Sequence, residues 1–346
     1  MIRIFVVLFC FLGLGVNCFN NTTKFNSRPI IGIYTAPSTQ AKFPSFNYSY
    51  VAASYVKFVE SRGAQVAPIP QDATYDYLDT LFSKINGILF PGGRLMIKTY
   101  NVQQLQSIEF TFQDSAHQIF TRNANYLIQK ANKATNKGDF FPIWGTCQGL
   151  QLIHYIESGF NSTVLKTGFN DKASRVTKKI DNTSKLFEKK CLNFQKTTWK
   201  ILLMILLLWV ILILKESLQL ATFESINYPI FGTQFHPEKN AFEWKADPTR
   251  HFESTLVSQY FANFFVQQAK QNVHSFNGTN DENKYLIYQY PTYSFPASSY
   301  TEIYIIKNFG NPEVDFTQAF ISKGQNSNPL NEKLILENQF EDGGGL

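Results

Sequence analysis

The 346-residue chain carries 32 Lys and Arg against 26 Asp and Glu, a formal charge of +6, and is 44% hydrophobic with only 17% charged residues. That apolar share excludes a disordered chain, and the length favours one α/β domain with additions over two large domains. The basic residues are scattered along the chain and form no dense run, which argues against a nucleic-acid partner and leaves a polyanionic small molecule as the natural complement.

At the start, Arg3 precedes an apolar stretch over residues 4–15 and then Val16-Asn17-Cys18. This pattern predicts a signal peptide over residues 1–18, too short to span a bilayer. Six sequons, at Asn20, Asn21, Asn47, Asn161, Asn182 and Asn277, fit passage through the secretory pathway as a glycoprotein. Cys10 and Cys18 leave with the signal, so the mature chain keeps Cys147 and Cys191, too few for a disulfide framework. At least one thiol is therefore expected to be free for chemistry.

From residue 29 the pattern alternates between short apolar runs and helical periodicity. Ile30–Tyr34 reads as a buried strand; residues 51–60 read as a helix with Val51, Ala52, Tyr55, Val56 and Val59 on one stripe, stopped by Gly63; Gln65–Ile69 reads as a second strand. A helix turning Tyr77, Leu78, Leu81, Phe82 and Ile85 inward leads to the strand Gly87–Phe90. Residues 102–133 read as a helical, polar surface segment, residues 141–144 as a strand, residues 150–156 as a helix and residues 229–235 as a late strand. Leu256, Val257, Tyr260, Phe261, Phe264 and Phe265 mark an amphipathic helix that docks afterwards. Strands alternating with helices predict an α/β fold, a mostly parallel sheet flanked by helices on both faces.

Two stretches break the regularity. Residues 201–214 are fourteen uninterrupted apolar residues between Lys200 and Lys215. As a helix they would cover about 21 Å, short of the roughly 30 Å hydrocarbon core, so membrane association is not expected. Residues 308–346 turn polar and Gly/Asn-rich and read as a disordered tail.

The chemistry concentrates in three places. Trp144-Gly145-Thr146-Cys147-Gln148-Gly149-Leu150-Gln151 runs from a buried strand through a Gly-x-Cys-x-Gly turn into a helix, the layout of a nucleophile elbow. A thiol at a helix N-terminus carries more of the reactive thiolate. Phe235-His236-Pro237-Glu238 closes the late strand and supplies a base in His236 with an orienting carboxylate in Glu238. Phe90-Pro91-Gly92-Gly93 follows another strand, where Gly92 and Gly93, with Gln148, can present main-chain N–H groups to an oxyanion. His117, His154, His251 and His274 sit in no motif and are assigned by default to surface or core.

Gly-x-Cys-x-Gly-x-Gln with a later His-Pro-Glu resembles the class I glutamine amidotransferase superfamily. More specifically, the segments at residues 50–57, 85–93 and 232–239, with Glu243-Trp244, resemble the γ-glutamyl hydrolase family, from about Arg28 to about Lys307. The resemblance implies a flavodoxin-like amidotransferase-type fold, a catalytic domain over residues 28–307 with an anomalous apolar segment at 201–220, and hydrolysis of folylpoly-γ-glutamates without metal or cofactor. It implies Cys147 as nucleophile, His236 as base and Glu238 as orienter, and Tyr50, Gln151 and Lys239 as substrate-binding positions. Gln151 stands where many members have Glu, Gln195 stands where animal members have His, and the apolar run replaces a polar stretch. Its abrupt edges point to a shifted reading frame or a retained intron. The compartment expected from the resemblance and the leader is extracellular or lysosomal-vacuolar, and a homodimer stays open. Two rivals remain: another γ-glutamyl amide or glutamine amidohydrolase of the superfamily, and an inactive secreted glycoprotein.

Overall fold

The computed structural model describes residues 25–37, 48–93, 116–165, 222–244, 251–294 and 300–309. Chain contacts divide the protein into two units, one of residues 1–25 and 175–219 and one of residues 26–174 and 220–346. Apart from Phe25, the first lies outside the described residues, as do the predicted signal peptide, Cys191, Gln195, the apolar run, four of the six sequons and all but two residues of the predicted tail. The second unit holds everything that follows.

Its main sheet has six strands in the order β4-β1-β5-β6-β8-β7. They are β1 (Ile30–Tyr34), β4 (Gln65–Ile69), β5 (Gly87–Phe90), β6 (Ile143–Thr146), β8 (Ile230–Thr233) and β7 (Thr222–Glu224). The first five are parallel, and β7 pairs antiparallel with β8 along the edge. Strands β1, β5, β6 and β8 are buried throughout, as expected where helices cover both faces. The two-residue alternation of a strand sorts their side chains. Ile30, Ile88, Ile143 and Ile230 share one core with Leu78, Leu81, Leu127, Ile128, Leu152 and Ile156. Trp144 and Phe231 point the other way, against Phe261, Phe264 and Phe265.

The helices are α1 (Ala53–Glu60), α2 (Tyr75–Phe82), α3 (Ala116–Asn136), α4 (Gln148–Glu157), the one-turn α5 (Lys239–Phe242), α6 (Phe252–Ala269) and the short α7 (Thr279–Glu282). Helices α5 and α7 have no counterpart in the sequence reading, and two others, α1 and α3, differ from it. The first helix begins at Ala53, because Val51 and Ala52 finish β3 (Tyr48–Ala52), which pairs antiparallel with β10 (Glu302–Lys307). A strand partner some 250 residues away leaves no local trace in the periodicity. Helix α3 is not a surface element: Phe120, Ala124, Leu127, Ile128 and Ala131 are buried, and buried Asn123 donates its amide to the Gln71 and Ala73 carbonyls. Its polar face masks a genuine apolar stripe.

Strands β3 and β10 belong to a second, antiparallel sheet of order β2-β3-β10-β9, with β2 at Ala36–Pro37 and β9 at Thr292–Ser294. The sequence reading contained no such sheet. Strand β2 follows β1 after the single residue Thr35, so the second sheet is tied to the first through β1, the strand next to its β4 edge.

Candidate active site

Strands β5, β6 and β8 are neighbours and parallel, so their C-terminal ends share one edge of the sheet. That is where open α/β sheets place their ligands. Phe90-Pro91-Gly92, Cys147 and Gln234-Phe235-His236 leave from those three ends.

Cys147 stands between β6 and α4 with φ of 51° and ψ of −111°. A non-glycine residue in this region is strained, and the strain is held by packing on either side. The Cys147 N–H donates to the Thr233 carbonyl at 2.7 Å, and Gln151 N–H donates to the Cys147 carbonyl at 3.1 Å. Gly149 provides the closest approach: a Cβ there would lie 2.1 Å from the Phe90 carbonyl oxygen and 2.8 Å from that of Pro91. The absence of that one carbon lets α4 seat against the Phe90-Pro91 backbone. Cys147 is thereby brought beside Gly92, where a Cβ would meet the Cys147 Cβ at 3.1 Å and the His236 Cε1 at 2.4 Å. The thiol is half-buried and free of any disulfide.

His236 Nδ1 lies 2.6 Å from Glu238 Oε1, and the imidazole also hydrogen-bonds the Cys147 side chain. Burial disfavours a charged ring here, but the Glu238 charge and the hydrogen bonds to Cys147 and Glu238 outweigh it, so His236 is pushed up to about 9. The Lys239 ammonium opposes this more weakly. Glu238 is fully buried, so its charge acts on the ring through little solvent. Cys147, His236 and Glu238 thus form one hydrogen-bonded series.

Two residues of this cluster were not singled out from the sequence. Tyr55, on α1, accepts the Gly92 N–H at 2.8 Å through its hydroxyl oxygen, which lies 3.2 Å from His236 Nδ1. Its ring belongs to the helical stripe, and only the structure shows where the hydroxyl reaches. Gln234 donates to Cys147 Sγ at 3.7 Å and accepts from Gln151 Nε2 at 3.3 Å. Its position two residues before His236 was the available signal.

The other sequence candidates fall as follows. Gly93 faces Gln148, whose Oε1 would lie 2.9 Å from a Cβ there. Lys239 opens α5, its N–H directed at the His236 carbonyl. Tyr50 sits on β3, its ring 6.2 Å from that of Tyr300. Among the remaining histidines, His154 packs edge-on against Phe223, and His274 bonds Asp139 and the carbonyls of Phe82 and Ile85. His251 is exposed at the start of α6, and the His117 side chain lies outside the described set. Asn161 and Asn277, the two sequons within that set, are both exposed.

Residues 29–198 match the family model described as Peptidase C26, and that match ends just ahead of the apolar run. The chain is 30% identical over 319 residues to Gamma-glutamyl hydrolase of Bos taurus, covering 85% of this chain and 93% of that protein. Gamma-glutamyl hydrolase B of Dictyostelium discoideum is 30% identical over 356 residues, 93% and 95% of the two chains. Gamma-glutamyl hydrolase of Homo sapiens is 31% identical over 311 residues, 80% and 89%.

Proposed function

The chain belongs to the γ-glutamyl hydrolase family, a hydrolase of γ-glutamyl bonds of the cysteine peptidase type, and from that premise we propose that it cleaves folylpoly-γ-glutamates with Cys147, His236 and Glu238 as its triad. The observation that carries this reading is the unbroken series from the Cys147 thiol through His236 to the buried Glu238.

A base held at about 9 keeps its proton at neutral pH, which favours the thiolate of Cys147 beside it. The thiolate attacks the γ-carbonyl carbon of a glutamyl residue, and the electron pair of the C=O bond moves to oxygen. Main-chain N–H groups at Gly93 and Gln148 are the donors proposed for that oxyanion, whereas the Gly92 N–H expected to join them is given to the Tyr55 hydroxyl. His236 then gives its proton to the departing amine nitrogen, the C–N bond breaks and a thioester remains on Cys147. The neutral imidazole next takes a proton from water, whose oxygen attacks the thioester carbon; the C–S bond then breaks, the glutamyl carboxylic acid leaves, and the Cys147 thiolate returns beside the protonated ring. Throughout, Glu238 fixes the ring and balances its charge. Tyr50, Gln151 and Lys239 are proposed to hold the glutamyl group, with the Lys239 ammonium suited to a carboxylate. The leader and sequons support passage of the protein to the extracellular space or a lysosomal-vacuolar compartment.

Incubating the purified chain with pteroyl di- and poly-γ-glutamates, in parallel with glutamine, tests the reading. Release of γ-linked glutamate supports it; ammonia release from glutamine alone favours the amidohydrolase alternative, and inertness towards both favours the inactive glycoprotein.

A further inference from the structure

Helix α5 is a single turn flanked at both ends by buried carboxylates, Glu238 as its N-cap and Glu243 as its C-cap, 0% and 1% exposed. A helix this short cannot hold its own orientation, because nucleating one turn is unfavourable by itself. Outside contacts must set it. At the N-terminal end these are the Glu238 bond to His236 and a hydrogen bond from Ser258 Oγ, on α6, to the Pro237 carbonyl. At the C-terminal end Glu243 Oε2 accepts the Thr301 N–H at 2.6 Å, while Thr301 Oγ1 accepts the Trp244 N–H at 2.9 Å. The two bonds form a reciprocal clasp.

Thr301 immediately precedes β10, which pairs with β3, and β3 runs straight into α1, the helix that carries Tyr55. The clasp therefore joins the His-Pro-Glu side of the site to the Tyr55 side through the second sheet. A buried carboxylate is costly unless paired, and a carboxylate accepting a backbone N–H is among the stronger hydrogen bonds. Glu243-Trp244 is also a segment that the catalytic scheme leaves without a task.

We propose that Glu243 is a positioning residue: by clasping Thr301 it fixes α5 to the second sheet and so holds the Glu238 carboxylate buried against His236. The inference rests on the reading of His236 and Glu238 as the catalytic pair. The charged and titratable groups around the imidazole are Tyr55 on α1, Cys147 ahead of α4, and Glu238 and Lys239 on its own loop. Tyr300, beside the clasp, faces Glu238, Glu243 and Cys147. With the clasp open, α5 swings, water reaches Glu238, and the screened carboxylate holds the His236 proton less tightly.

The test is the pH dependence of kcat and KM on pteroyl di-γ-glutamate for the full chain and its Glu243→Ala, Glu243→Gln, Thr301→Val and Glu238→Gln variants, with thermal unfolding alongside. Glu243→Ala is expected to lower kcat about tenfold, leave KM within about twofold, and move the alkaline limb down by about one pH unit. Glu243→Gln, which keeps an oxygen for the Thr301 N–H, should recover most of both effects, and Thr301→Val should give an intermediate shift. If Glu243→Ala does not fold, Thr301→Val carries the test through its downward limb shift, with Glu243→Gln expected to stay close to the parent. An unmoved limb in folded Glu243→Ala and Thr301→Val, with activity falling only as folded protein is lost, overturns the proposal while Glu238→Gln still moves it. If Glu238→Gln also leaves the limb unmoved, the catalytic reading beneath it falls as well.

Discussion

The hydroxyl of Tyr55 accepts the Gly92 N–H at 2.8 Å and stands 3.2 Å from His236 Nδ1, so one oxygen on α1 touches both the glycine loop and the imidazole. Burial is the first cause that raises the Tyr55 hydroxyl well above its usual range, with the Glu238 charge next, and it therefore stays a neutral O–H at working pH. Tyr55→Phe keeps the ring and leaves the Gly92 N–H unpaired, at a cost of about 1–3 kcal/mol. The expected outcome is a fall in kcat of roughly ten- to hundredfold with a small change in melting temperature. Unchanged kcat would mean that the Gly92 loop holds its place without this contact.

Gly149 gives a prediction about folding. A Cβ at 2.1 Å from the Phe90 carbonyl oxygen meets backbone, which cannot swing aside as a side chain would. Gly149→Ala should destabilise the domain by about 3 kcal/mol or more, read as a clear drop in the midpoint of chemical unfolding. A variant as stable as the parent would show that α4 has room to shift.

The His236 pair sets a pH signature. The folded value near 9 lies above the ordinary 6.5, so the pair's contribution to stability is complete below pH 6.5 and is lost as pH rises through 9. Activity should follow the same alkaline limb, falling near pH 9. Glu238→Gln removes the orienting charge, and its limb should move towards neutrality together with a large loss of turnover. A parent profile falling near pH 6.5 would contradict a charged base.

Asp72 provides an independent check away from the site. Burial raises its carboxyl to about 6, only partly offset by backbone hydrogen bonds that include Phe309 N–H. A carboxyl raised above its usual 3.8 penalises the folded state once ionised, as pH climbs past 6. Asp72→Asn keeps an acceptor for Phe309 and should add on the order of 1–2 kcal/mol at pH 8 after allowance for partial exposure, and little at pH 4. Equal effects at both pH values would show that ionisation is not the cause.

What could be read from the sequence follows the range of the forces involved. Gly145-Thr146-Cys147-Gln148-Gly149 was legible because strand, turn and helix constrain one another within a few residues, and His236 and Glu238 were legible together because they are two residues apart. The parallel strands were legible as continuous apolar runs. What escaped depends on distant partners. Residues 48–52 pair with 303–307, so the second sheet and the true start of α1 were hidden. The Tyr55 hydroxyl finds Gly92 across 37 positions, and Glu243 meets Thr301 across 58. Helix α3 was misjudged for another reason, since its buried Arg122, Asn123 and Asn132 lower the apparent hydropathy of a core element.

The most direct test of Cys147 as the nucleophile is alkylation of the native chain by iodoacetamide, followed by peptide mass spectrometry and assay of γ-glutamyl cleavage. The account predicts that carbamidomethylation of Cys147 tracks the loss of activity one for one, is slowed by pteroyl poly-γ-glutamate, and is itself slower in Glu238→Gln. Inactivation that tracks modification of Cys191, or full activity in a chain alkylated at Cys147, would contradict it.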